Sequence, residues 1–544
     1  MKKWLEQHPV KTIAGAGILI FLLHLQILPV TIMEARNFIT AREMVIDGHW
    51  LLTTMNGLPR YEKPPLPTWF TAISGSIFGL HVYALRLPTA LMAVFTAIIT
   101  YFFSLKLVGS KLQSIINALI LLTSFYIIAI TNEAPWDIYT HGFMLTSIYF
   151  LFRLLREKPK KWQNALLAGF CFGASFMSKG PIGLYALFLP FSIAYGISYR
   201  FKTSEKKTLS IILYICTALV TASWWFIYVR VTDPGAFIEI TRKETGNWAS
   251  YNIRPFYYYW SFFTQSGIWA IPSLVALMYP YLRKKVTNPS AYRLTFLWTV
   301  FAVILLSVIP EKKTRYLAPV LIPMAMNTGF YITYLINHFQ EIKKSWEKWV
   351  VYFNFSLIAL IGLIFPLAGF FLLDDDRNSA VLPFVLTATA LFVLAITIIR
   401  QLFKKNIFKV FIATVSFIIA ITAFGLPLAR LFQKNTAFHN IDTLADKMIM
   451  KETPVYGFGD IAPEMLWYYG SPLPIIQPEN MVFPDEEQYG VLLTPAMENE
   501  FKRIFAPGYD MKQTEVFDLN YASGPGEKGH KKRLVSTLYI LSKK

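Results

Sequence analysis

Charge is what this chain has least of. Only 16% of its 544 residues are Asp, Glu, Lys or Arg, against 54% apolar, which excludes an ordinary soluble composition. Cysteine is nearly absent. Cys171 and Cys216 both fall inside apolar runs, so neither a disulfide framework nor a thiolate metal site is expected. No segment repeats at a 20–50-residue period, which excludes a solenoid, and no low-complexity linker interrupts the chain. Phosphate-cradling glycine loops are missing too: Gly457-Phe458-Gly459 is too short to be one, and Ser523–Gly529 reads as a hairpin or mobile loop. Acidic residues are the scarcer charge, 33 against 52 basic, for a net charge of +19. In a soluble domain that surplus would suggest nucleic acid. Here the basic residues lie between apolar runs, so membrane topology accounts for them.

The apolar runs recur at about the 20-residue length that crosses a bilayer. Thirteen are expected, near 12–31, 83–105, 113–131, 138–152, 163–178, 181–199, 208–229, 257–281, 292–309, 317–337, 349–373, 380–399 and 407–428. With the N-terminus in the cytoplasm, the basic clusters fall on one side. They include Lys2/Lys3/Lys11, Lys106/Lys111, Arg153/Arg156/Lys158, Lys202/Lys206/Lys207, Arg283/Lys284/Lys285, Lys343/Lys344/Lys348 and Arg400/Lys404/Lys405. This satisfies the positive-inside rule. The apolar run from Thr12 leads to Glu34 rather than to a small-residue cleavage site, so it reads as a retained first helix. Residues 32–82, 132–137, 230–256, 310–316, 374–379 and everything after about 430 are then outside.

Beyond residue 430 the hydrophobicity falls. Short β-prone runs (Val455–Phe458, Val491–Leu493, Leu534–Leu541) alternate with helical ones (441–450, 496–505) between Gly, Pro and Asp. The expected fold is mostly α: a polytopic transmembrane bundle over 1–430, with juxtamembrane helices in the first outer loop, followed by a small outer α/β domain over 431–544.

The charge the chain does carry is concentrated in the outer loops. The first, residues 32–70, holds Glu34, Arg36, Arg42, Glu43, Asp47, Arg60, Glu62 and Lys63, and Lys63-Pro64-Pro65-Leu66-Pro67 stiffens it. Trp50, Tyr61, Trp69 and Phe70 suit a membrane interface. The second loop has Glu133 and Asp137 at the head of a span. Capping a helix is the plain role for either, while a carboxylate at membrane depth is usually functional. Cations outside break the positive-inside trend three times: Arg60/Lys63, Arg242/Lys243/Arg254 and Lys312/Lys313/Arg315. Together they suggest one shared anionic ligand, clamped through Arg and Lys. Lys179, in Lys179-Gly180-Pro181, reads most simply as a snorkelling lysine.

These residues resemble the GT-C membrane glycosyltransferases of the protein mannosyltransferase and lipid A aminoarabinose transferase superfamily. The resemblance rests on Glu34-Ala35-Arg36, Arg42-Glu43-Met44, Gly48-His49-Trp50, Asn56-Gly57 and Tyr61-Glu62-Lys63-Pro64-Pro65, with Lys179-Gly180-Pro181 and Lys312 through Tyr316 further on. It covers roughly residues 10–430. It implies inverting transfer of a sugar from a polyprenyl-phosphate donor to a lipid A-type, glycan or protein acceptor, at the outer face of the inner membrane. Glu34 and Asp137 would act on the acceptor, with Glu133 the alternative second acid. Lys63, Arg60, Arg242, Arg254, Arg315 and Tyr316 would hold the donor phosphate. The aminoarabinose enzymes place a metal at a Glu matching Glu62, with a loop His; here no His occurs in 230–256, so a divalent metal is an open expectation only. A polyprenyl-lipid transporter or flippase is the rival class, and a non-catalytic membrane scaffold the third.

Overall fold

The computed structural model describes the chain except residues 134, 158–159, 201–206, 251, 370–377, 451 and 480–481. Lys158, Lys202, Lys206 and most of the expected 374–379 turn therefore lie outside the described residues. The chain divides into two compact units, one of Met1–Leu25, Tyr61–Phe70 and Arg86–Pro427, the other of Gln26–Arg60, Thr71–Leu85 and Leu428–Lys544.

The first unit is helical. Among the described residues, eight helices are long and apolar enough to cross a membrane, or nine if the pair Lys111–Leu122 and Phe125–Thr131, bent by 55°, is one span. Thirteen spans were expected. The difference has local causes. Pro9–Phe21 and Leu184–Tyr199 are apolar but short. The 257–281 run breaks into 3₁₀ turns, Phe256–Tyr259 and Phe262–Trp269, before a short helix at Ala270–Ala276. Gly267 turns the chain at φ 65°, where a Cβ would lie 2.8 Å from that of Phe125, so only glycine fits.

Helix packing follows small residues. Gly169 and Gly173 lie one turn apart on Lys161–Lys179, and a Cβ on either would collide with the Thr208–Thr232 helix at Tyr214 or Thr221. Close backbone approach of this kind substitutes for the hydrophobic drive that lipid does not supply.

The expected outer loop 230–256 is mostly helix, Pro234–Ser250. Its start was written in Asp233-Pro234: the Asp233 carboxylate accepts the Ala236 N–H, and proline suits the first helical turn. The second expected loop is also helical. Phe125–Glu133 leads to Pro135–Arg156, whose first turn carries Asp137. Asp137 is thus inside the helix rather than its N-cap.

In the second unit, the charged stretch after residue 30 is not a wet loop. Ile32–Ile46 is a helix opened by a capping box, in which Glu34 accepts the Thr31 N–H at 3.0 Å and Thr31 accepts the Glu34 N–H. Leu66–Phe78 is a second juxtamembrane helix, of which only 71–78 belong to this unit. Val30, Ala35, Phe38 and Ile39 share a core with Leu444, Leu466, Trp467, Leu492 and Leu538. A mixed five-stranded sheet runs in the order Ile475–Ile476, Val455–Phe458, Gln488–Leu493, Val535–Lys543, Tyr509–Asp518. The first two pairings are parallel and the last two antiparallel.

Asp518 ends the last of these strands and is 3% exposed. Burial pushes its carboxyl up, but His530 and the Asn520 and Asn435 amides outweigh burial and hold it below the usual value of 3.8. A depressed carboxylate contributes stability above its unfolded pKa and loses it as pH falls. Stability is therefore expected to decline as pH drops below 3.8 and on through the lowered value, and Asp518→Asn should flatten that limb. Denaturant unfolding of the wild type and the variant across the acid range measures it; parallel acid limbs would contradict it.

Candidate functional site

The first unit assembles its charged groups from five segments. The stiff turn after Tyr61 brings in two of them. The Tyr61 hydroxyl donates to Asp233 Oδ2 at 2.9 Å, and Lys63 Nζ pairs with Glu244 Oε2 at 2.9 Å. Both partners flank or lie on the Pro234–Ser250 helix. Burial first, then the hydrogen bond to Asp233, raises the Tyr61 phenol, so it stays a neutral donor.

Asp137 is fully buried. Lys179, at the last turn of Lys161–Lys179, donates to both of its oxygens at 2.6 Å. The lysine side chain is 4% exposed, so it does not snorkel: it is an ion-pair partner. His141, one turn beyond Asp137, has its Nε2 3.9 Å from Asp137 Oδ1, and neither ring nitrogen has a hydrogen-bond partner among the described residues.

Lys179 also faces the segment before the Ala318–His338 helix. Its Nζ lies 5.5 Å from the centre of the Tyr316 ring, and that of Lys313 lies 5.8 Å from it. Lys313 pairs with Glu311 at 2.6 Å, and the Tyr316 hydroxyl donates to the same carboxylate at 3.1 Å. Arg315 and Lys63 are both within electrostatic reach of Lys179. The Arg315 Nε is buried with no hydrogen-bond partner among the described residues.

Two of the cationic segments expected outside meet directly. Arg254 N donates to Pro310 O, Lys312 N to Asn252 O, and Ile253 bridges Glu311. Lys312 belongs to this frame rather than to a ligand: its ammonium donates to the Arg254 and Ile309 carbonyls, and burial lowers its pKa. The side chains of Arg254 and Arg242 are exposed. Glu133 is exposed as well, and accepts from the Tyr126 hydroxyl at 3.3 Å.

Glu34 and Arg60 belong to the second unit. Glu34 is 1% exposed and closes the capping box. Arg60, expected to hold phosphate, is buried, and its guanidinium donates to Arg36 O and Thr40 Oγ1. It is a brace for the hairpin at residues 54–59. Glu43 does similar work, accepting from Thr54, Asn56 N and Gly57 N. Glu62 is exposed, and among the described residues no group of three His, Cys, Asp or Glu is placed to hold a metal. The residues present do not fit the metal expected at Glu62.

Comparison with known proteins falls on this same region. The family model for dolichyl-phosphate-mannose-protein mannosyltransferase matches residues 62–225, which include Lys63, Asp137 and Lys179. An undecaprenyl phosphate-alpha-4-amino-4-deoxy-L-arabinose arabinosyl transferase from Aeromonas salmonicida is 26% identical over 305 residues. Over this region the chain is similar to membrane glycosyltransferases of the GT-C type. The match to the Aeromonas salmonicida protein covers 54% of this chain and spans 54% of that relative's length. An uncharacterized protein of Aquifex aeolicus is 27% identical over 384 residues, 64% of this chain and 72% of that one. In fold, the chain resembles ArnT from Cupriavidus metallidurans, solved bound to undecaprenyl phosphate, with a TM-score of 0.66 and 15% identity across 98% of this chain and 97% of that one.

Sequence reasoning missed how these groups pair. Lys179 lies 42 residues from Asp137, and Glu244 lies 181 from Lys63. No local pattern announces either pair. The Asp233-Pro234 helix start was legible and would have placed Tyr61's partner on ordered structure.

Proposed function

We propose that this chain transfers a sugar from a polyprenyl-phosphate donor to a lipid A-type, glycan or protein acceptor at the outer face of the inner membrane. In this reading the N-terminus is cytoplasmic, residues 431–544 form a periplasmic domain, and the configuration at the sugar inverts. One observation carries the proposal: Lys179, paired with the buried Asp137, lies within electrostatic reach of Lys63 and Arg315, and the Arg315 Nε has no acceptor among the described residues. Such a cluster has the charge and geometry to receive a phosphate. The undecaprenyl phosphate-linked sugar for which the Aeromonas salmonicida relative is named supports the same chemistry.

In the reaction, the acceptor oxygen forms a bond to the anomeric carbon as the bond from that carbon to the phosphate oxygen breaks. The electron pair leaves on the phosphate. Lys63 and Arg315 stabilise that growing charge, and Tyr316 is placed to assist by hydrogen bonding. Arg242 and Arg254 are proposed as outer contacts to the same group. The acceptor's proton passes to a carboxylate, for which Asp137 is proposed, an effect of about 10²–10⁴-fold for general-base catalysis. Asp137 also fixes Lys179 through both oxygens. Incubating the purified protein with a polyprenyl-phosphate sugar and acceptor should release polyprenyl phosphate. A transporter or scaffold would return the donor intact, which would overturn the proposal.

A further inference from the structure

We infer that Glu244 is a specificity-determining residue of the proposed donor site: it disfavours the doubly charged polyprenyl phosphate left after transfer more than the singly charged donor. The inference rests on the transferase reading above. Three cation–carboxylate pairs serve this site, and they differ in kind; Lys313 and Glu311 are 23% and 13% exposed, which leaves Lys63 and Glu244 the most open. Asp137 and Lys179 are sealed, with side chains 1% and 4% exposed. Lys63 and Glu244 are 25% and 37% exposed, so theirs is the pair that a competing anion can open.

Around Glu244 its helix is turned outward. Thr241, Arg242, Lys243 and Thr245 are all exposed, and Glu244 alone in that run is half-buried, against Lys63. A phosphate arriving at Lys63 therefore meets a carboxylate already in place. The repulsion it feels scales with its own charge. A donor phosphodiester carries one negative charge. The released monoester, with a second pKa of about 6, carries nearly two above neutral pH. Glu244 thus weighs about twice as heavily on product as on donor, and so promotes discharge of the product.

Binding tests this without knowledge of the sugar. Farnesyl phosphate serves as the dianion and its methyl phosphodiester as the monoanion. Both are titrated into the full chain in detergent at pH 8 and low salt. Glu244→Gln is expected to tighten the monoester about tenfold and the diester about threefold, and 1 M salt should erode both gains. Glu244→Asp should keep the wild-type ratio, because the charge is retained. Equal tightening of the two ligands, no change, or weaker binding would overturn the inference and make Glu244 a prop for Lys63. Wild type that binds neither ligand would overturn the donor-site reading and the inference with it.

Discussion

Asp137→Leu is expected to destabilise the protein by about 3–5 kcal/mol, the range found when one partner of a buried ion pair is removed. The substitution leaves the Lys179 ammonium, 4% exposed, without the two 2.6 Å bonds that hold it. The lysine has little recourse. The ring of Tyr316 is 5.5 Å away, and Arg315 and Lys63 repel it. The double variant Asp137→Leu/Lys179→Met removes both charges and should recover most of the loss, since apolar replacements of whole buried pairs are often neutral. The sign of that recovery is the decisive point. A pair kept for stability alone would leave the double variant as weak as the single. Thermal and denaturant unfolding of the four proteins in one detergent gives the coupling energy. A single variant as stable as wild type would remove the pair from the structural core of the site.

How much of this was legible beforehand depends on the range of the interaction. The membrane class and the position of most spans follow from the length of the apolar runs, and the eight helices that pass as spans lie where the hydropathy put them. The short strands at Val455–Phe458 and Val535–Lys543 were visible in β-branched residues between turn signals. What misled were charged residues whose partners are not visible in the sequence. Arg36, Arg42, Glu43 and Arg60 read as solvated or ligand-binding because a single chain shows no partner for them. In the fold Arg60 braces the backbone, and Glu43 fills the turn at residues 54–57. Lys179 was misread for the same reason, because its partner lies on another helix. Arg42 remains without a physical account: its guanidinium is buried near Trp467, with no hydrogen-bond partner among the described residues.

Lys63→Ala should separate catalysis from stability. Its pair with Glu244 is partly solvated, and pairs of that kind contribute about 0–1 kcal/mol, so the variant should unfold close to the wild-type midpoint. Its effect on transfer should be far larger. If Lys63 meets the leaving phosphate, its charge acts where charge develops in the transition state, and removing one such group costs about 10²–10³-fold in turnover. Lys63→Arg restores the charge but not the shape. The guanidinium is broad and planar where the ammonium is compact, and Pro64 and Pro65 leave the backbone little room to adjust, so it should recover only part of the rate. The contrast with Asp137 is what makes the pair of experiments informative. One charge is buried and its loss registers first as unfolding; the other is half-exposed and its loss registers as turnover. Single-turnover transfer by folded Lys63→Ala protein at saturating donor measures the second effect, and a rate within a few-fold of wild type would take Lys63 out of the reaction.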